Sequence, residues 1–409
     1  MSMNRPLEGI KVVDFSTYAA VPVIGRIMAD WGADVIKIES TAGDPWRFSG
    51  GPTMHMTCND DENPAYDIVN GSKKHIAVNL KTKEGQEIIY KLLAEADVFT
   101  TNVRVQALKK LGLDYDTLHE NFPELVWSHI SGFGSEGPDC NRPGFDIVSF
   151  WARSGAMIDL VQPNGTPITP PYGFGDIPSG VALLAGTCAA LLGRQRTGKG
   201  EKVEVSLYGN AIWSTSLMQL AAQDAYQDPW PKARTTPPNP LGSSYRCKDG
   251  EWLILGILEP DRYWGRLATN VLGLPEMAED ERFLSVEACK ANVEFVVATL
   301  DEAFAKKDRA EWEKLLIEND LAFDKVMHFR EIPHDPQAWA NKYVTEVTFR
   351  SGNKAVLPNI PIHFGGEAPD PISNVSRVGE DTEEILKALD YSDEEIASLL
   401  EKGVIAVRK

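Results

Sequence analysis

Strand-like and helix-like segments alternate through the first third of the chain, and this alternation restricts the possible folds more than any other feature. Gly9–Phe15, Asp34–Ile38, Ile76–Leu80, Asp97–Thr101 and Leu125–Ile130 are short apolar runs with strand character. Between them, Pro22–Trp31, Lys83–Ala96 and Leu108–Phe122 carry helical spacing, and Gly32-Ala33 breaks the first of these. Strands that alternate with helices build βαβ units, so the expected fold class is α/β with an open parallel sheet. A helix of small residues over Gly175–Leu192, the turn Thr197–Gly200 and the strand Lys202–Leu207 extend the pattern. The small residues suit a tightly packed, buried helix.

The element order resembles a Rossmann-type domain, yet no G-x-G-x-x-G follows the first strand, where Thr17–Val21 stands instead. A nicotinamide dinucleotide is therefore a poor expectation. Asp228–Pro240 holds five prolines and no periodicity, which predicts an interdomain connection. A second module follows over Ser244–Asn319, opening with strand-like runs around the turn Cys247–Gly250. From Ala322 the chain returns to mixed α/β character and reaches a helix near Thr382–Leu389. The expected division is 1–228 for the first part of a large domain, 229–325 for a small middle domain, and 326–409 for the rest of the large one.

With 409 residues, 43% of them hydrophobic, the chain can bury a large core. No run appears long and apolar enough for a bilayer, Met1–Leu7 is polar, and neither end carries a lipidation motif. Five scattered cysteines without a C-x-x-C pair predict reduced thiols in a cytoplasmic protein. A net charge of −18 repels nucleic acid and anionic membranes, so neither is an expected partner. Any anionic ligand would need lysines and arginines concentrated locally. Such a cluster exists in Lys37, Arg47, Lys73-Lys74, Arg104 and Lys109-Lys110, although ordinary solvated surface explains it equally well.

Seven dispersed histidines show no metal-ligand spacing, and no metal site is expected. No G-x-S-x-G elbow is present. What remains is a set of glycine-flanked segments: Ser131–Pro138 after a strand, Pro143-Gly-Phe-Asp146, and Tyr172-Gly-Phe-Gly-Asp-Ile-Pro-Ser-Gly180. The last places a single carboxylate, Asp176, at the start of a helix. Read alone, Asp176 is more often an N-cap than a catalytic group, since Asp caps helices well.

Taken together these segments resemble the family III CoA-transferases, the group of formyl-CoA, carnitine and phenyllactate CoA-transferases. The matching stretches are Pro6–Asp14, Ala29–Glu39, Ser131–Gly134, Gly175-Asp176 with Ser179-Gly180, and Thr197–Glu201. The resemblance runs from about Pro6 to the C-terminal helix. It implies a Rossmann-like large domain formed by both chain ends, a small α+β middle domain, and an interlocked homodimer. It implies that Asp176 is the nucleophile, a role compatible with capping the helix as well, that an acyl-CoA and a small carboxylic acid are the substrates, and that no cofactor is held permanently. By the same matching, Lys73 or Lys74, Asn102, Val103, Lys110 and Phe133 are expected at the CoA. Ser40 departs from members that carry arginine there, which leaves the adenine contacts open.

Within the family the pattern is closest to transferases for aryl or branched 2-hydroxy acids and their 2-enoates in amino-acid-fermenting anaerobes. Asn102–Leu108, Pro143–Asp146, Phe150–Gly155 and Gln337–Asn341 carry that impression. Ile177 stands where those relatives have histidine, so the acyl preference is open. Two rivals remain. An α-methylacyl-CoA racemase on the same fold needs a base where Phe145 stands, and phenylalanine moves no proton. A CoA-binding protein without catalysis would have no use for Asp176 as a nucleophile. An NAD-dependent dehydrogenase, lacking the fingerprint, is a weaker third.

Overall fold

The computed structural model describes residues 5–366 and 374–408, so Met1–Asn4 of the polar N-terminal segment lie outside the described residues. Twelve strands appear among them. They are β1 (Lys11–Phe15), β2 (Asp34–Glu39), β3 (Lys74–Val78), β4 (Val98–Thr101), β5 (Val126–Ser131), β6 (Lys202–Ser206), β7 (Ser244–Arg246), β8 (Trp252–Leu255), β9 (Phe323–Lys325), β10 (Val344–Thr348), β11 (Lys354–Pro358) and β12 (Ile405–Ala406). Seven of them form one sheet in the order β12-β3-β2-β1-β4-β5-β6. Every pairing is parallel except β12 with β3, where Ile405 faces Val78. Helices cover both faces, so the inner strands are buried on both sides and read as unbroken apolar runs. All four residues of β4 are buried.

On one face the helix Lys83–Ala94 packs Ile88, Ile89, Leu92 and Leu93 against Val13, Ile76 and Phe99. The C-terminal helices Thr382–Ala388 and Asp393–Glu401 complete that core with Ile385, Leu386, Ile396 and Leu399. The last strand thus closes a sheet that the first strand began. On the other face lie the helix Pro22–Asp30 and the long helix Asp176–Thr197.

The long helix departs from expectation. At 22 residues it is, by length and composition alone, long and apolar enough to cross a membrane, which the sequence reading did not anticipate. Nor is it fully buried. Leu183, Leu184, Thr187 and Leu191 pack inward, while Ile177, Val181 and Leu192 are exposed.

The chain divides into two compact units, Met1–Ser154 with Pro170–Ser216 and Pro333–Lys409, and Gly155–Thr169 with Leu217–Ile332. The Pro-rich segment expected to connect domains belongs to the smaller unit. Arg234 pairs with Asp301 at 2.6 Å, and the Tyr245 hydroxyl donates to the Pro240 carbonyl at 2.7 Å. That unit has its own antiparallel sheet, β7-β8-β9, and its own core. There the Trp264 and Phe283 rings stack with centroids 3.9 Å apart.

Candidate active site

Strand order reverses between β1 and β4, the point where open α/β sheets leave a crevice at their carboxyl ends. Here the crevice mouth is sewn shut at its base. The Asn102 side chain accepts from the Thr17 N–H at 3.0 Å and donates to the Thr17 carbonyl at 2.7 Å, joining the ends of β1 and β4. Next to this stitch Tyr18 sits at φ +63°, with its N–H directed to Asp44 Oδ1 at 3.3 Å. Its ring meets Phe145 edge-on, centroids 5.5 Å apart.

Two glycine loops form the next wall. A Cβ placed on Gly144 would lie 2.5 Å from the Gly132 Cα and 2.6 Å from Ser149 Oγ. The loop after β5 and the Pro143–Phe145 loop therefore touch backbone to backbone, an approach only glycine permits. Above them opens a cleft of about 720 Å³, lined among others by Tyr18, Asn102, Gly132, Phe145 and Asp176.

Asp176 is the first residue of the long helix, and it does not cap it: the capping position is Gly175, with no side-chain cap bond. The helix start is held instead by a carboxylate from a distant segment. The Gly175 N–H donates to both oxygens of Asp146, at 3.2 and 3.3 Å, and the amides of Gly173 and Asp176 add to the same group. Burial pushes the Asp146 carboxyl up, and these amides pull it partly back. Gly175 has no room for a side chain, since a Cβ would sit 2.4 Å from Asp146 Oδ1. Asp176 gets no such relief. Burial first, and the Asp146 charge second, push its carboxyl from 3.8 to about 7. The result is a carboxylate poised near neutrality, with the basicity a nucleophile needs.

The cations expected at an anionic ligand divide into two groups. Arg104 and Lys109 line the cleft, where Arg142 and Lys202, outside the expected cluster, join them. Lys37, Arg47 and Lys73 are buried elsewhere in ion pairs. Lys73 spends its three N–H bonds on Asp14 at 2.8 Å, the Pro22 carbonyl at 2.7 Å and Asn70 at 2.9 Å. Burial takes its ammonium down to about 8. A phosphate cannot reach it. Lys74 starts β3 at the amino edge of the sheet, near Lys11 and Asp34, and pairs with Glu384 at 2.8 Å. Neither lysine lines the cleft.

Of the other expected contacts, Asn102 and Val103 line the cleft. Asn102 has its amide engaged by Thr17, and the Val103 carbonyl meets His129 Nε2 at 3.1 Å. Phe133 is half-buried on the loop after β5, its ring between the Arg142 and Arg153 guanidiniums at 5.3 and 5.0 Å. Lys110 does not line the cleft, whereas Val105, Gln106 and Lys109 of the same helix, Val105–Leu111, do. Arg142 and Asp146 were not singled out from the sequence, and Lys109 only as one of the cationic cluster. Helical phase does not separate Lys109 from Lys110, since both share a face with Gln106, and nothing local to Asp146 betrays that it meets Gly175.

The switch-point cleft thus brings Arg104, Lys109, Arg142 and Lys202 together with five carboxylates, Asp176 among them. Residues 7–382 match the model of CoA-transferase family III, and the chain belongs to that family. It is 40% identical to the (R)-2-hydroxy-4-methylpentanoate CoA-transferase of Clostridioides difficile, over 98% of this chain and 99% of that one. It is 37% identical to the cinnamoyl-CoA:phenyllactate CoA-transferase of Clostridium sporogenes, over 98% of both. Among solved structures, a CAIB/BAIF family protein from Brucella suis superposes with a TM-score of 0.80 at 29% identity, covering 95% of this chain and all of that one.

Proposed function

We propose that this CoA-transferase exchanges CoA between an acyl-CoA and a free carboxylic acid through Asp176, and that its acids are 2-hydroxy acids or their 2-enoates with an aryl or branched aliphatic chain. The substrate class follows the two relatives at 40% and 37% identity. The observation that carries the mechanism is the uncompensated carboxylate of Asp176, opening into the cleft.

Asp176 Oδ attacks the thioester carbonyl, the C–S bond breaks, and CoA leaves as thiolate from a mixed anhydride. The thiolate attacks the aspartyl carbonyl and displaces the donor acid, leaving an aspartyl-CoA thioester. The acceptor carboxylate attacks the same carbonyl, and the released thiolate then attacks the acceptor side of the new anhydride. Asp176 and the new acyl-CoA are regenerated with no net proton transfer. Backbone amides of the glycine loops would receive the oxyanions, each donor worth about 3–4 kcal/mol. Arg104, Lys109 and Arg142 would meet the phosphates. Tyr18 and Phe145 would face the acyl chain.

No permanently bound cofactor is needed for these steps. The exposed apolar residues Val181 and Leu192 of the long helix and Trp213 after β6 support a homodimer, which the family resemblance implies is interlocked. The five free cysteines support a cytoplasmic location. A racemase is disfavoured because Phe145 lines the cleft at the position where a base is required. The test is mass spectrometry after incubation with cinnamoyl-CoA and then hydroxylamine. A hydroxamate on Asp176 is expected. Its absence, with CoA bound, would leave a non-catalytic CoA binder or an isomerase.

A further inference from the structure

We propose that Asp146 is a positioning residue for Asp176: its carboxylate, seated among the amides of Gly173–Asp176, fixes the turn that presents the nucleophile, and its charge favours the acylated, uncharged state of that nucleophile. The inference rests on the covalent reading above and adds to it.

Three observations converge on Asp146. It is 6% exposed, far too buried for a surface charge. It accepts from the backbone of residues 173, 175 and 176 across a separation of about thirty positions, so it ties the Pro143–Phe145 loop to the nucleophile's helix. Gly175, squeezed between Asp146 and Phe150, leaves that turn no other place to go. The positive end of the helix is thereby given to Asp146 and withheld from Asp176.

The electrostatic consequence has a definite sign. Free Asp176 carries a negative charge beside another one, which is part of why its carboxyl is pushed up to about 7. In the anhydride and in the aspartyl-CoA thioester that charge is gone, and the repulsion with it. Asp146 thus raises the free carboxylate relative to both covalent states, making it a better nucleophile and a poorer resting state. No other charged group competes strongly for this role. From the helix packed alongside, Arg26 and Asp30 pair with each other at 2.8 Å. The helix Leu207–Ser214 presents no charged residue. His129, Lys202 and Glu204 from β5 and β6 line the same cleft without a resolved effect on Asp176.

The experiment compares the wild type with Asp146→Asn and Asp146→Glu, all full-length, using cinnamoyl-CoA as donor. Quenched mass spectrometry reads the fraction of Asp176 held as adduct, and initial rates read kcat, KM and the acid limb of kcat/KM. For Asp146→Asn the expected result is a kcat lower by about tenfold or more, since small misplacements of a reacting group are costly. KM should stay within about twofold, the adduct fraction should fall, and the acid limb should move to lower pH. Should the Asn variant fail to fold, Asp146→Glu decides. It keeps the charge but displaces it, so the expected outcome is a reduced kcat with the acid limb retained. Wild-type kcat, adduct fraction and pH profile in the Asn variant, or in the Glu variant if only that one folds, would overturn the inference. A wild type that forms no adduct at all would overturn the covalent reading and this inference together, which separates the two failures.

Discussion

The larger unit holds two sets of charge that look alike in composition and behave oppositely. One contains Asp14, Lys73, Lys37, Asp44, Glu39, Arg47 and His75. Here Lys73 meets Asp14 at 2.8 Å, Arg47 meets Glu39 at 2.6 Å, and His75 Nδ1 lies 2.7 Å from the same Glu39. Their partners hold the Asp14 and Glu39 carboxyls below the usual range despite complete burial. The other set is Asp146 and Asp176, two carboxylates with no cation between them, whose carboxyls are both pushed up. Asp146 is buried like the first set, and Asp176 is half-buried. Compensation differs, and compensation separates a charge that holds a fold together from one available for chemistry.

The strongest way to break this contrast is to remove the uncompensated nucleophile. Asp176→Ala should lower transfer by roughly 10⁴-fold or more, as losses of covalent nucleophiles do. CoA binding, followed by calorimetry, should stay within a few-fold. A residual rate within a hundredfold of wild type would mean that Asp176 carries no covalent step. Removing a compensated charge should do the reverse. Lys73→Met strands Asp14, which is 0% exposed, without its cation. The expected loss is about 3–5 kcal/mol in denaturant unfolding, with KM for acyl-CoA unchanged in the folded protein. A raised KM at unchanged stability would return Lys73 to the ligand.

A third test uses pH, and its sign follows from the raised carboxyl of Asp176. A folded-state value near 7, against 3.8 in the unfolded chain, means that the native state holds the proton more tightly. The associated stability is present below about pH 4 and is lost as pH rises through 7. Asp176→Asn does not titrate, so it should be more stable than wild type at pH 8, by a few kcal/mol at most at about 1.4 kcal/mol per unit. The gap should close by pH 4. Urea midpoints at the two pH values measure it, and equal gaps at both would show that Asp176 is not held in the state described.

Much of this was legible in the residues themselves. The parallel sheet follows from strands that alternate with helices along the chain, whereas the order of the strands within it does not. Asp176 stood out as a lone carboxylate between glycines, although local preference favoured it as the cap, a place that the structure gives to the Asp146 carboxylate. What failed was the assignment of cations. Lys37, Arg47 and Lys73 look like surface lysines and arginines in any window of sequence, and only the returning chain reveals them as buried. The acids that neutralise them come from other strands and loops, as Asp14 does for Lys73 across 59 positions. The pairing of Gly132 with Gly144 was hidden for the same reason. Each glycine is explained by its own loop, and their contact exists only after both loops fold back over β5.

The cleft cations give the smallest effect and the finest discrimination. Lys109 and Lys110 are adjacent, equally charged and both near the end of the helix Val105–Leu111, so composition treats them as one. Consecutive helical positions point about 100° apart, and of the two lysines only Lys109 lines the cleft with Val105 and Gln106. If a CoA phosphate lies there, Lys109→Ala should raise KM for acyl-CoA by roughly five- to twentyfold, the value of one charge-assisted contact at about 1–2 kcal/mol. The effect should shrink as salt is added, because the contact is partly screened. Lys110→Ala should change KM by less than about twofold, within the range of a solvated surface charge. Both variants should keep wild-type kcat, since neither touches Asp176. A reversal of the two KM effects would place the phosphates nearer Lys110 and outside the lining that Lys109 shares with Arg104 and Arg142.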